Sequence, residues 1–199
     1  DPAVAKAIAQ AGSIIKNPKY VGDVKSIATT TFQAGGAGVV DGSCAMHRQA
    51  SFIPAFFPKK GEEVANGEAD FFYFPPYASA NLGNPVLGAG TLWTMAKDSP
   101  ATRAFFQYMT EASAHEAWMS QGTFLTAHKG ANLDAYATPA LRKQGEILSN
   151  ATTFRFDASD LMPGAIGAGA FWSEMTAFAN GQDAKTTGDN IQAAWDAIK

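Results

Sequence analysis

The strongest constraint on how this chain folds is a set of helix starts, which the sequence marks with a capping residue followed by proline. Three dipeptides place a proline at the first position of a helix: Asp1-Pro2, Ser99-Pro100 and Thr138-Pro139. Asp1 and Ser99 are also suited to cap the backbone N–H groups at those starts. After the first start, apolar residues recur every three or four positions over 3–16, which predicts an amphipathic helix that Asn17-Pro18 ends.

Helical patterns outnumber strand patterns along the rest of the chain. Further helices are predicted over 24–34, from Ser99-Pro100 onward, 113–120, from Thr138-Pro139 onward, 165–180 and 187–198. Strands are predicted over 43–51, 69–74, 91–96 and 152–156. The charged, turn-like segment 59–68 indicates a solvated loop. Few strands among many helices indicate the α/β or α+β class.

Charge and cysteine content exclude several classes of function. The chain of 199 residues has a net charge of −3, which argues against a nucleic-acid binder or a basic membrane-surface patch. No apolar run approaches the roughly 18 residues that a spanning helix needs. The single cysteine, Cys44, excludes an internal disulfide, and the three histidines are scattered. We therefore expect no metal and no cofactor.

The first residues, Asp1-Pro2-Ala3-Val4, have neither the basic nor the apolar part of a signal peptide. The chain is therefore expected to be a mature or excised piece of a longer protein.

Two local patterns could be taken for catalytic or phosphate-binding motifs. Cys44 and His47 are close in sequence, but on the predicted strand a spacing of three residues puts their side chains on opposite faces. The glycine-rich run 164–169 superficially matches a phosphate loop, yet no apolar strand precedes it in the right place. We interpret that run as a flexible approach to a helix N-terminus.

Aromatic residues beside turn residues are the more informative feature. Rings next to Pro or Gly breaks are Phe52, Phe56, Phe57, Phe74, Tyr77, Trp93, Phe171 and Trp172. The ends of regular elements are where ligand sites are commonly built. A flat apolar ring with polar neighbours suits a pyranose, whose C–H face stacks on the aromatic ring. The alternative for each ring is that it fills the core.

Four stretches carry a family resemblance through their order and spacing: Gly42–Phe52, Thr91–Tyr108, Ala168–Trp172 and Gly181–Thr187. The first has Ala45-Met46 followed by an aromatic residue, and the second is a strand-like run leading into a helix. The third has an aromatic pair near a helix start, and the fourth precedes a terminal amphipathic helix. In this combination the chain resembles the C-terminal half of an extracellular (periplasmic) solute-binding protein of the sugar-binding family, the maltose- and alpha-glucoside-type receptors of ABC importers.

The resemblance implies an α/β fold like that of the type II periplasmic binding proteins, in which two lobes close on a sugar. By analogy, 1–83 would form the first part of the C-lobe, 84–121 would cross to the N-lobe, and 122–199 would form the second part of the C-lobe. The N-lobe would otherwise be missing from this chain and would be a partner. Membrane permease subunits are the other implied partner.

The same resemblance implies the ligand-binding residues. Phe52 and Trp172 occupy the positions of the family's stacking aromatics, with Phe171 beside the latter. Arg48, Gln49 and Thr91 lie next to matched positions and are candidate hydrogen-bond partners for sugar hydroxyls. We expect Phe52 and Trp172 to face one shared opening. The expected location is the periplasm. In a Gram-positive organism the protein would instead be extracellular and anchored to the membrane.

Two alternatives stay open. A glycoside-processing enzyme would need paired carboxylates across the sugar, and Asp41, Asp70, Asp157 and Asp160 sit in no recognisable acid–base context. The same receptor fold could also bind a non-sugar solute such as a polyamine, a peptide or a chelated metal. The abundant aromatic residues and the few histidines favour a sugar, with no catalytic residue.

Overall fold

Helices make up most of the regular structure, which the computed structural model describes for residues 1–75, 81–122 and 124–199. In chain order the α-helices of these residues are α1 (Pro2–Ile15), α2 (Pro18–Val21), α3 (Phe32–Gly35), α4 (Ala37–Asp41), α5 (Glu62–Ala65), α6 (Pro100–Tyr108), α7 (Ala112–Met119), α8 (Pro139–Ser149), α9 (Trp172–Ala179) and α10 (Ala184–Asp196). Short 3-10 helices cover Val24–Ala28, Ile53–Phe56 and Leu133–Ala135. Two strands, β1 (Pro85–Gly88) and β2 (Thr153–Phe156), form a two-stranded sheet.

The chain divides into two compact units. The first unit is formed by Asp1–Thr31 with Phe156–Lys199, and the second by Phe32–Arg155. A helix-rich chain with a small sheet is consistent with the α/β class. The three segments predicted from the family's lobes remain a prediction.

In the first unit, α1 packs against α10 and begins as the sequence predicts. The Asp1 carboxylate accepts a hydrogen bond from the N–H of Ala3 at 2.8 Å, with Pro2 in the first turn. At the other end of α1, the Lys16 ammonium lies 3.7 Å from the centroid of the Phe178 ring. The same ammonium donates to the carbonyl of Gln182 at 2.7 Å. These contacts join α1 to α9 and to the turn before α10.

The glycine-rich run is itself helical, so the expectation of a flexible approach is wrong. A π-helix spans Ala165–Phe171 and continues directly into α9. Gly167 is buried in it, and a Cβ there would lie 2.0 Å from the Ser159 carbonyl oxygen. The glycine is therefore needed for close backbone packing.

In the second unit, the helix starts at α6 and α8 are also confirmed. The Ser99 hydroxyl accepts a hydrogen bond from the N–H of Thr102, and the Thr138 hydroxyl accepts one from the N–H of Leu141, both at 3.2 Å. A hydrophobic cluster forms around the fully buried Met119, with Ala131, Tyr136 and their neighbours Phe124, Leu125, Leu133, Ala135 and Leu141.

Strands were predicted less well than helices. The strand over 152–156 is confirmed as β2, and β1 lies in a segment without a clear sequence pattern. The backbones of Asn84 and Thr152, just before the two strands, are joined by a 3.0 Å hydrogen bond. The strands predicted over 43–51, 69–74 and 91–96 are wrong, because no described residues pair with these segments as strands.

The helix predicted over 24–34 is only partly correct. The structure breaks it into the 3-10 helix Val24–Ala28 and the short α3. Thr29-Thr30-Thr31 lies at the break, and threonine is a weak helix former because its branched side chain loses rotamer freedom in a helix.

None of the helices within the described ranges combines the length and apolar character that a membrane crossing requires.

Substituting Gly167 tests the close packing of the π-helix. Gly167→Ala is expected to destabilise the protein by about 1–3 kcal/mol, since the new methyl group would overlap the Ser159 carbonyl. Urea unfolding followed by circular dichroism would measure the change. The matched control is Gly164→Ala at the start of the same helix, where a Cβ meets no atom within 4 Å. Equal unfolding midpoints for the two variants would contradict the packing argument.

Candidate functional site

The predicted ligand-binding residues fall in both units. Arg48, Gln49, Phe52 and Thr91 belong to the second unit, and Phe171 and Trp172 belong to the first. The expectation that Phe52 and Trp172 face one shared opening therefore stays a prediction. Each group has a defined local environment within its own unit.

Phe52 belongs to a cluster of three rings that we call the aromatic trio, formed by Phe32, Phe52 and Phe56. The ring centroids are 5.3 to 6.2 Å apart and every pair meets edge to face. Phe52 keeps 50% of its surface exposed, and the other two rings are almost as exposed. Edge-to-face contacts stabilise such a cluster without hiding its outer faces. The trio thus presents apolar ring surface that the core alternative does not account for.

The segment that carries Phe52 follows a left-handed helix end. Gly42, with φ of +79°, ends α4 in the left-handed conformation, and the exposed segment 43–50 follows without regular structure. The 3-10 helix Ile53–Phe56 then begins directly after Phe52. Beneath it, the buried Phe57 and the side chain of Ile53 approach Gly36 so closely that a Cβ there would lie 3.0–3.1 Å from them.

The polar candidates beside Phe52 are exposed. The Arg48 guanidinium carbon lies 5.9 Å from the centroid of the Phe74 ring, at the outer limit of a cation–π contact. The Gln49 side-chain oxygen accepts a hydrogen bond from the N–H of Ala50 at 2.8 Å. Thr91 is exposed in the segment after β1.

A buried carboxylate lies in the segment after the 3-10 helix of the trio, where sequence reasoning indicated a solvated loop. Glu63, in α5, is 0% exposed. Its two oxygens accept hydrogen bonds from the N–H groups of Lys59, at 2.6 Å, and Gly61, at 3.1 Å. Burial opposes ionisation, but these donors and the Lys59 charge hold the pKa of the Glu63 carboxyl below its ordinary value. Sequence reasoning missed it because the charged residues around it resemble a solvated loop.

Trp172 is the first residue of α9 and is 69% exposed, while Phe171 ends the π-helix half-buried. The helix that carries Trp172 is held by Glu174. One carboxylate oxygen of Glu174 accepts hydrogen bonds from the side-chain amides of Gln182, at 2.7 Å, and Asn190, at 2.9 Å. These bonds hold the pKa of the Glu174 carboxyl below its ordinary value.

A second group of rings surrounds Trp93, which the sequence singled out. Trp93 lies 5.3 Å from Phe105 and 6.1 Å from Trp118, measured between centroids. Trp118 stacks face to face on Phe124 at 4.5 Å. This group connects the segment after β1 with α6 and α7, and local sequence patterns do not reveal such long-range contacts. Of the other rings named from the sequence, Tyr77 lies outside the described residues.

Several residues that a catalytic alternative would use are exposed or engaged in local hydrogen bonds. Cys44 and His47 are both exposed, and the strand that would have separated them is absent. Asp41 accepts hydrogen bonds from Ser43, which lower the pKa of its carboxyl, and Asp157 accepts bonds from the N–H and hydroxyl of Ser159. These two carboxylates therefore stabilise local turns. No cluster of three or more His, Cys, Asp or Glu residues in the described parts of the chain has metal-binding geometry.

Comparison with known proteins identifies relatives. The chain is 50% identical, over its whole length, to the alpha-glucosides-binding periplasmic protein of Rhizobium meliloti, of which it covers 44%. It is 38% identical, over 76% of its length, to the osmoprotective compounds-binding protein of Synechocystis sp., of which the match covers 35%. The chain therefore spans less than half the length of either relative. No family model and no solved structure matches it.

The Glu174 bonds should make α9 sensitive to acid. Because the pKa of Glu174 is lowered by folding, its contribution to stability is present above its ordinary pKa of 4.5 and is lost as the pH falls through the folded value. Glu174→Ala should lower the thermal midpoint at pH 7, and the difference from the original protein should narrow toward pH 3. Calorimetry across this range measures it. The control is Glu111→Ala, an exposed glutamate without a side-chain capping bond; a pH-independent difference would argue against the assignment.

Proposed function

We propose that the chain belongs to the solute-binding protein family that the four stretches indicated and that it forms part of the substrate-binding component of an ABC importer. The proposed ligand is a sugar, an alpha-glucoside or another oligosaccharide. The proposed site of action is the periplasm, or the cell surface in a Gram-positive organism, where the receptor would deliver its sugar to membrane permease subunits.

The observation that carries the sugar assignment is the half-exposed aromatic trio. A pyranose presents apolar C–H faces and a rim of hydroxyl groups, so it needs flat rings next to hydrogen-bonding groups. Phe52 supplies such a ring, with Arg48 and Gln49 a few residues away in the same exposed segment. Trp172 supplies a second exposed ring, with Phe171 beside it, and Thr91 is a further candidate partner for a hydroxyl. The best-covered relative is named for alpha-glucosides, which favours the same ligand class.

The proposed mechanism is capture without covalent change. A sugar stacks on the rings, its hydroxyls pair with polar groups, and the two lobes of the whole receptor close around it. The sugar must bind the closed form better than the open form to shift that equilibrium. Micromolar affinity corresponds to about −8 kcal/mol. Two or three stacked rings and several hydrogen bonds can supply this after the cost of ordering the partners.

We propose that an N-terminal lobe completes the site, with 1–83 and 122–199 in the C-lobe and 84–121 crossing between lobes. The proposal of a further lobe is supported by large apolar side chains that are exposed among the described residues and that such a lobe would cover. Leu92 is 78% exposed and lies next to the half-exposed Trp93 in the proposed crossing segment. Extended exposed apolar surface is typical of an interaction site.

A specific observation favours a second ligand class. One relative is named for osmoprotective compounds, so a small osmoprotective solute is the alternative within the same receptor function. The alternative of an enzyme acting on glycosides gains no support from Asp41 and Asp157, whose oxygens accept hydrogen bonds within local turns. The proposal assigns no catalytic residue, no metal and no cofactor.

A ligand screen on the intact protein tests the proposal. Thermal shifts are expected with maltose, trehalose, sucrose or cyclic glucans, because a pyranose face stacks on the rings. No shift is expected with spermidine, because a polyamine site would need more Asp and Glu residues near the rings than the sequence places there. Shifts with spermidine alone would point to the polyamine alternative. Turnover of a chromogenic glucoside would point to an enzyme, and the absence of any shift would count against a sugar receptor.

Removal of single rings tests the site. Phe52→Ala and Trp172→Ala should each weaken sugar binding about tenfold, equivalent to about 1.4 kcal/mol, because a stacking face is lost. Calorimetric titration measures the affinities. Phe52→Tyr should keep most of the affinity, since the ring remains, and Phe72→Ala removes an exposed phenylalanine outside the trio as a matched control. Unchanged binding by both alanine variants would remove these rings from the site.

A further inference from the structure

We infer that Glu63 positions the aromatic trio and thereby sets the affinity for the sugar that stacks on it. The ligand in this inference rests on the proposed function, while the positioning step rests on local contacts alone. Glu63 itself is fully buried. It acts through the backbone of the turn that it closes.

The first step is the turn. A fully buried carboxylate is costly unless its oxygens are satisfied, and here each oxygen accepts a backbone N–H, from Lys59 and Gly61. Gly61 has a φ of +99°, a left-handed conformation that glycine adopts readily. The carboxylate therefore fixes the path of the backbone over 59–61.

The second step joins this turn to the 3-10 helix of the trio. The N–H of Lys60 donates to the carbonyl of Phe57 at 2.9 Å, and the N–H of Phe57 donates to the carbonyl of Pro54 at 3.1 Å. Gly61 also lies against Pro54, whose carbonyl would be 3.5 Å from a Cβ on the glycine. The turn closed by Glu63 thus packs against one side of the Ile53–Phe56 helix.

The third step is the second contact of the Ile53–Phe56 segment, which is made with Gly36. Phe57 is buried against Gly36, and Ile53 reaches the same glycine. The 3-10 helix is held between this contact and the Glu63 turn, and the exposed rings Phe52 and Phe56 stand at its two ends. A shift of the turn therefore moves both rings relative to Phe32, which begins α3.

The geometry requires a carboxylate of this length. Glutamine would keep one acceptor oxygen but would direct its NH₂ group at the second backbone N–H. Aspartate would keep both acceptors on a side chain shorter by one methylene. Glu63→Gln is therefore expected to release one of the two turn bonds without removing bulk from the site.

The experiment compares Glu63→Gln with two controls in the intact protein. Glu62→Gln makes the same charge change at the exposed neighbour. Tyr136→Phe lowers the stability of the second unit elsewhere, because the N–H of Thr126 loses its hydrogen bond to the buried tyrosine hydroxyl. Three quantities are measured for each variant: affinity for the sugar identified by the screen, amide hydrogen exchange over 53–61, and the ¹⁹F resonance of 4-fluorophenylalanine incorporated at position 52.

Glu63→Gln is expected to weaken sugar binding about five- to tenfold, to speed exchange over 53–61, and to move the fluorine resonance. Tyr136→Phe should lower the thermal midpoint but leave all three quantities unchanged, and Glu62→Gln should change none of them. If Glu63→Gln lowers the thermal midpoint and leaves affinity, exchange and resonance as they were, Glu63 is merely structural and the inference is wrong.

The inference and the proposed function can fail separately. If the original protein binds no sugar, the proposed function fails, and exchange and fluorine resonance still decide whether Glu63 positions the ring. If the original protein binds sugar but the Glu63→Gln readouts stay unchanged, only the inference fails.

Discussion

The contact of Phe57 with the bare backbone of Gly36 is the constraint on which the candidate site depends. Any side chain at position 36 would push Phe57 and Ile53 away, because a Cβ would already lie within about 3 Å of both. The 3-10 helix that carries Phe52 and Phe56 rests on that contact. One buried ring, Phe57, therefore supports the neighbouring exposed rings, so the exposed apolar surface of the trio depends on interior packing.

The same principle recurs in the first unit. Gly12 lets the Phe178 ring come within 2.6 Å of where a Cβ would stand, and the Lys16 ammonium covers that ring from the end of α1. Phe178 lies on α9, whose first residue is the exposed Trp172. In the first unit, Gly12 makes room for the buried Phe178, which lies on the same helix as the exposed Trp172. In the second unit, Gly36 makes room for the buried Phe57, which directly follows the exposed Phe56. The sparse charged content of the sequence agrees with a structure that relies on such ring packing.

Sequence reasoning succeeded where the determining interactions are local. Asp1, Ser99 and Thr138 each accept a bond from an N–H two or three residues ahead, so the helix starts could be read directly from neighbouring residues. Strands depend on partners far along the chain, and the aromatic segments 69–74 and 91–96 were misassigned for that reason. Phe52 and Trp172 remain predicted site residues, and both are exposed. Phe32 joins the trio only through the fold. Glu63 was missed because charge suggests solvent, whereas backbone donors satisfy this carboxylate inside.

The π-helix before Trp172 determines how α9 responds to a change in chain length. Seven residues, Ala165–Phe171, are wound more loosely than an α-helix, and α9 continues from them without a break. Because each residue of a π-helix turns the chain less than a residue of an α-helix does, the loss of one residue here and the tightening of the others to α-helical winding largely offset each other. A one-codon deletion in this run is therefore expected to leave the indole of Trp172 in nearly the same direction, whereas a deletion within α9 itself would turn every later residue by about 100° about the helix axis.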